Sequence, residues 1–180
     1  MTVLNIYTDG ACSGNQSREN LGGWGAILEY GAHQKELYGG ERNTTNNRME
    51  MTALIRALEA LKREVAEIRV FSDSAYLMDC FRQKWYVNWK NNQWKTSGKK
   101  DVENRDLWEK LLALVEGRPI RFFRVKGHVN LDSEKTDIAG LYETFTKWNG
   151  NVFSLEDFLY VTKMNHRADA LANRWMDENR

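Results

Sequence analysis

The chain has 180 residues, a formal net charge of +1, 42% hydrophobic residues, one Pro and two Cys. That length suits a single domain, and the apolar share is enough for a real core. A near-neutral charge argues against an all-over basic coat for nucleic acid. Cys12 and Cys80 are too few and too far apart for a disulfide scaffold or a zinc site. No run of about 18 apolar residues occurs, and MTVLNIYTDG lacks the basic-then-apolar pattern of a secretory leader. The expectation is a cytoplasmic protein with no membrane segment.

Residues 3–9, rich in Val, Leu, Ile, Tyr and Thr, predict a first strand stopped by Gly10. Residues 23–30 alternate Trp24, Ala26, Leu28 and Tyr30, the period of a second strand. Gly31-Ala32-His33 predicts a turn, and 34–40 a returning third strand. Residues 47–63 carry the helical stripe Leu54, Ala57, Leu58 and Leu61. IRVFSD (68–73) predicts a buried strand and 74–84 a helix. Another helix over 104–116 presents Leu107, Leu111, Leu114 and Val115, and Gly117-Arg118-Pro119 ends it. IRFFRV (120–125) predicts the fifth strand and 165–178 a last helix. A three-strand meander followed by helix-linked strands implies an α/β fold: a five-stranded mixed sheet with helices on both faces.

Local charge is more telling than the mean. Between 82 and 105 the cations are Arg82, Lys84, Lys90, Lys95, Lys99, Lys100 and Arg105, against only Asp101 and Glu103. Between 131 and 163 the balance reverses.

Two acids end predicted strands: Asp9 before Gly10, and Asp73 before Ser74. Ligand sites in open α/β sheets gather beyond the carboxyl ends of strands. The plainer readings are a turn residue for Asp9 and a helix N-cap for Asp73. Glu50 falls on the same helix face as Leu54, Ala57, Leu58 and Leu61. A carboxylate facing a core is costly unless it is paired or bound to a metal. The alternative is a capping box from Asn47 to Glu50. Asp169 stands near the start of the last predicted helix, where the plain reading is a first-turn acid favoured by the helix dipole. Four such groups suit phosphodiester hydrolysis, in which two divalent ions about 3.5–4 Å apart supply a hydroxide and stabilise the leaving oxygen. Hard oxygen ligands favour magnesium.

YTDGACSGN (7–15), GGWGAILEY (22–30), TTNNRMEMTALIRALEAL (44–61), FSDSAYL (71–77), NWKNNQWKTSGKKDVENRDLW (88–108), VKGH (125–128) and NHRADALA (165–172) together resemble type I ribonuclease H of bacteria. The resemblance implies a ribonuclease H-like fold and a metal-dependent endonuclease. Its substrate would be the RNA strand of RNA–DNA hybrids, leaving 5′-phosphate and 3′-hydroxyl ends. It implies two Mg2+ ions, with Mn2+ as a substitute. Asp9 would bridge them, Glu50 and Asp73 would hold one, and Asp169 the other. His128 corresponds to the family's mobile histidine, which moves protons or releases product; the plain reading of a lone loop histidine is a solvated side chain. Asn15, Asn46 and Asn47 would contact the 2′-hydroxyl in the minor groove, although Asn also serves turns and caps. Lys90, Lys95, Lys99 and Lys100, with Trp85 and Trp108, would line the DNA-strand channel, with Trp89 and Trp94 partly in the core. A monomer is expected.

Two departures stand out. Ala75 replaces a Gln common in bacterial relatives. Residues 129–163 replace what is a short loop in most relatives, so the chain reads as one ribonuclease H domain with an atypical insertion. Within it, Ile138, Leu141, Tyr142 and Phe145 predict an amphipathic helix over 135–147, and Ser154 starts another. Packing beside the site, repositioning of His128 and binding of a partner all remain open for this segment. Asp132 and Asp137 follow His128 more closely than Asp169 does, but neither has the N-x-x-A-D-x-L-A setting. The rival readings are a non-catalytic hybrid-binding module, and another superfamily enzyme such as an integrase or junction resolvase.

Overall fold

In the computed structural model, which describes residues 2–14 and 19–180, β1 (Val3–Ser13), β2 (Leu21–Tyr30) and β3 (His33–Arg42) form the meander. They are followed by α1 (Asn46–Ala60), β4 (Glu67–Ser72), α2 (Ala75–Gln83), α3 (Trp85–Asn91), α4 (Arg105–Val115) and β5 (Ile120–Arg124). The chain ends in α5 (Ile138–Asn149) and α6 (Leu155–Glu178). The sheet order is β3-β2-β1-β4-β5. β1–β2 and β2–β3 pair antiparallel, while β1–β4 and β4–β5 pair parallel.

Strand alternation sends successive side chains to opposite faces. Leu4, Ile6, Ala26, Leu28, Ile68 and Val70 face one core, filled by α1, α2 and α4. Tyr7, Ile27, Phe71 and Phe123 face the other, filled by α5, α6 and Phe153 between them. β2 is therefore buried on both sides from Leu21 to Glu29, more than its alternating pattern implied. The 129–163 segment is part of this second core: Phe145, Phe153, Phe158 and Val161 are all buried against the sheet. Burying each such side chain stabilises by about 1.5–3 kcal/mol.

Three local predictions are corrected. β1 does not stop at Gly10 but continues antiparallel to β2 as far as Ser13. Only its parallel pairing with β4 ends earlier, at Thr8 opposite Ser72. The helix over 74–84 is found as α2, and the left-handed backbone of Lys84 (φ 56°) separates it from the further helix α3. On α4 the buried face is Trp108, Leu111 and Leu112, one residue round from the Leu107–Leu111–Leu114 stripe. Finally, the helix starting at Ser154 and the helix over 165–178 are a single 24-residue element, opened by a reciprocal capping box between Ser154 and Asp157.

α6 lies directly on β2. A β-carbon at Gly25 would collide with the Ala168 carbonyl, and one at Gly23 with the Ala172 carbonyl. Glycine at these two places sets the depth at which α6, and Asp169 upon it, meets the sheet. Gly25→Ala is expected to destabilise the fold by about 1–3 kcal/mol through overpacking. A denaturation midpoint unchanged by that substitution would contradict this close approach.

Candidate active site

Asp9 sits on β1 opposite Gly25, one residue beyond the last parallel pair with β4, and is 3% exposed. Asp73 follows β4 directly. Its neighbour Ser74 caps α2 by accepting the Leu77 amide at 3.1 Å, so the Asp73 carboxylate is not used as a cap. Glu50 projects from the second turn of α1 and is 7% exposed. The alternative reading of Glu50 as part of a capping box from Asn47 does not hold: the N-cap is Thr45, which accepts the Arg48 amide at 3.2 Å. Gly10 lets α1 come this near, because a β-carbon there would collide with the backbone between Met49 and Glu50.

These placements bring one carboxylate oxygen each of Asp9, Glu50 and Asp73 within 4.8 Å of one another. Glu50 Oε2 is buried with no hydrogen-bond partner among the described residues. Burial, followed by the charges of Glu50 and Asp73, pushes Asp9 up to about 12. Burial and the charge of Asp73 likewise raise Glu50, with the Asp9 hydrogen bond and the Gly10 amide pulling the other way. Three acids held this closely repel as anions, and that repulsion is what a divalent cation relieves. The residues therefore fit a hard metal ion. Asp169 also acts on Asp9, raising it through a side-chain hydrogen bond. It stands in the middle of α6 rather than in a first turn, so the helix-dipole reading does not apply.

The remaining candidates divide. His128 is exposed, in the loop after β5, with a left-handed backbone (φ 57°). That loop passes over the cluster: a β-carbon at Gly127 would collide with Asp73 Oδ2. Asn46 and Asn47 occupy the first turn of α1, exposed and half-buried respectively. Asn15 lies outside the described residues. Lys90, Lys95, Lys99 and Lys100 are exposed on and after α3. Lys95 pairs with Asp101; among the described residues Lys90, Lys99 and Lys100 have no ion-pair partner. Trp85 is half-buried.

Trp108 is a correction. It is fully buried, donates its indole N–H to the Tyr76 hydroxyl at 2.8 Å, and packs against Phe81 and Trp89. It packs beneath the lysine-bearing stretch on and after α3, the basic protrusion, and presents no surface to a ligand. Sequence reasoning missed Arg48, which grips Asp106 with two hydrogen bonds of 3.0 and 2.8 Å and ties the start of α1 to α4. No short-range pattern marks that pair, which is 58 residues apart.

The fold and the acidic cluster together define an α/β protein with a carboxylate site suited to a divalent ion. The sequence matches the RNase H family over residues 1–140. It is 52% identical over 128 residues to a ribonuclease H of Syntrophomonas wolfei, covering 71% of this chain and 86% of that one. It is 40% identical to a ribonuclease H of Clostridium botulinum over 178 residues, 99% of this chain and 98% of that one, so this second alignment spans the 129–163 segment. Among solved structures, LC11-RNase H1 in complex with an RNA/DNA hybrid has a TM-score of 0.60 at 20% identity, covering 98% of each chain. The chain belongs to the RNase H family, and it is a ribonuclease H enzyme.

A saturating divalent ion is expected to stabilise the fold. At 100 times its dissociation constant the gain is about 2.7 kcal/mol, or roughly 5–10 °C in melting temperature for a chain this size. Asp9→Asn should melt no lower than the unmutated protein without ions and gain little when Mg2+ is added. An equal ion-induced rise in both proteins would remove Asp9 from the binding site.

Proposed function

We propose that the protein hydrolyses the RNA strand of RNA–DNA hybrids endonucleolytically, with Mg2+ (or Mn2+ in its place) held at two positions, giving 5′-phosphate and 3′-hydroxyl ends. The observation that carries this reading is the unpaired buried oxygen of Glu50 in a cluster with Asp9 and Asp73. Asp9, Glu50 and Asp73 would hold one ion; Asp9 and Asp169 would hold the other. The ions, when bound, supply an activated water and stabilise charge on the scissile phosphate and the leaving oxygen.

The chain's own groups do the rest. Burial of Asp9 and Glu50 keeps the carboxylates preorganised rather than solvated. His128, exposed beside the cluster, moves a proton at the departing 3′-oxygen or aids its release. Asn46 and Asn47, at the exposed start of α1, offer donor and acceptor groups to the 2′-hydroxyl, which separates RNA from DNA. Asn15 belongs to the same set on the resemblance alone. Lys90, Lys95, Lys99 and Lys100 bind phosphates of the DNA strand, with Trp85 beside them. The solved hybrid complex of LC11-RNase H1 supports this choice of substrate.

A labelled hybrid incubated with Mg2+ tests the reaction. Asp9→Asn is expected to reduce cleavage by at least about a thousandfold, the scale of several kcal/mol of lost transition-state stabilisation. Binding without cleavage by the unmutated protein would favour a hybrid-binding module, and equal cutting of duplex DNA another enzyme of the superfamily. Asp169→Asn should be similarly impaired, whereas Asp132→Asn and Asp137→Asn should cleave normally. The reverse pattern would reassign the fourth ligand.

The protrusion has its own test. Replacing Lys90, Lys99 or Lys100 by Ala should weaken hybrid binding without regard to sequence. It should also lower the salt slope of the affinity by about one unit for each phosphate no longer neutralised. An unchanged slope in the triple variant would exclude these lysines from the interface.

A further inference from the structure

The loop Val125–Val129, which carries His128, is gripped at both ends by the segment that follows it. At its start, Arg124 closes β5, the edge strand of the sheet, so among the described residues its backbone N–H and C=O have no strand partner on the open side. The side chain of Asn149, the last residue of α5, supplies both missing bonds. Its Oδ1 accepts the Arg124 amide at 2.9 Å, and its Nδ2 donates to the Arg124 carbonyl at 2.8 Å. The end of α5 is itself fixed there. The Arg124 guanidinium lies over the Trp148 ring, 4.1 Å from its centroid, and Arg82 donates to the Trp148 carbonyl.

At the far end, His166 Nε2–H donates to the carbonyl of Val129 at 2.7 Å. His166 stands on α6, one turn before Asp169, and Val129 is buried. Between the two grips, His128 holds a left-handed backbone and Gly127 is pressed against Asp73. A residue with a side chain keeps that conformation only where its surroundings impose it.

We propose that the α5–α6 segment is a clamp on the His128 loop, with Asn149 and His166 as its positioning residues. The catalytic consequence rests on the role given to His128 above; the clamp itself rests on the two grips. Because His166 and Asp169 ride on the same helix, the clamp also fixes the distance between the histidine loop and the Asp9–Asp169 side of the site. The α5–α6 segment thereby acts on the reaction without touching substrate.

The test uses full-length protein, with hydrogen exchange over residues 122–130 and steady-state cleavage of a hybrid in Mg2+. Asn149→Ala and His166→Ala should each speed exchange in this segment by about fivefold, the scale of one hydrogen bond. Each should lower kcat severalfold with KM unchanged. His166→Gln, whose amide nitrogen can occupy the Nε2 position, should restore both. Adding His166→Ala to His128→Ala should cost nothing further. Exchange unchanged in the Asn149→Ala/His166→Ala pair would overturn the clamp, and so would a full kcat loss from His166→Ala when His128 is already absent. A normal kcat for His128→Ala would instead remove the His128 role, with the exchange rates still deciding whether the clamp exists.

Discussion

Asp9 is buried on the central strand with Glu50 and Asp73 as its charged neighbours and Asp169 as a further side-chain partner, and no Lys or Arg ion pair neutralises any of the four among the described residues. Like charges crowded out of water are among the most expensive arrangements a fold can hold. Here four separate elements deliver the acids to one place: β1, α1, the β4–α2 turn and α6. The cost is accepted where the group bound at the cluster returns more than the repulsion takes away. A hard divalent ion does so, and it explains why Glu50 Oε2 has no partner among the described residues.

The rest of the architecture serves that convergence. Gly10 lets α1 approach β1, and Gly23 and Gly25 let α6 settle onto β2, so the acids from opposite faces of the sheet meet at its end. The second core, with Tyr7, Phe71 and Phe123 from the sheet and Phe145, Phe153 and Phe158 from the 129–163 region, holds α6 down from Phe158 to Leu171. Asp169 is thus positioned by a long, capped and packed helix and not by a short one ending a loop. The basic protrusion is tied to the site separately, through Arg48 on α1 and the buried Trp108 beneath α3.

The strands and α1 were legible because period-two and 3.6-residue patterns record which side faces a core. Glu50 was legible for the same reason, as a charge on an apolar stripe. Asp9 and Asp73 were placed by their strand ends, although β1 runs on past Asp9, since pairing with β2 outlasts pairing with β4. Trp108 was misread because the true buried face of α4 lies one residue round from its leucine stripe, and a tryptophan beside lysines looks like a ligand platform. The unity of α6 was hidden by its polar middle: Lys163, His166 and Arg167 interrupt the apolar pattern on the outer side while Val161, Met164 and Ala168 continue it inside. The grips of Asn149 and His166 were beyond reach, since a side chain bonding a backbone 25 or 37 residues away leaves no local signature.

Anomalous diffraction from crystals soaked in Mn2+ tests the central claim most directly. The account predicts ions in contact with carboxylate oxygens of Asp9, Glu50 and Asp73, and of Asp9 and Asp169, with Glu50 Oε2 among the ligands. Ordered ions elsewhere on the protein, with the Asp9 cluster empty at saturating Mn2+, would contradict it.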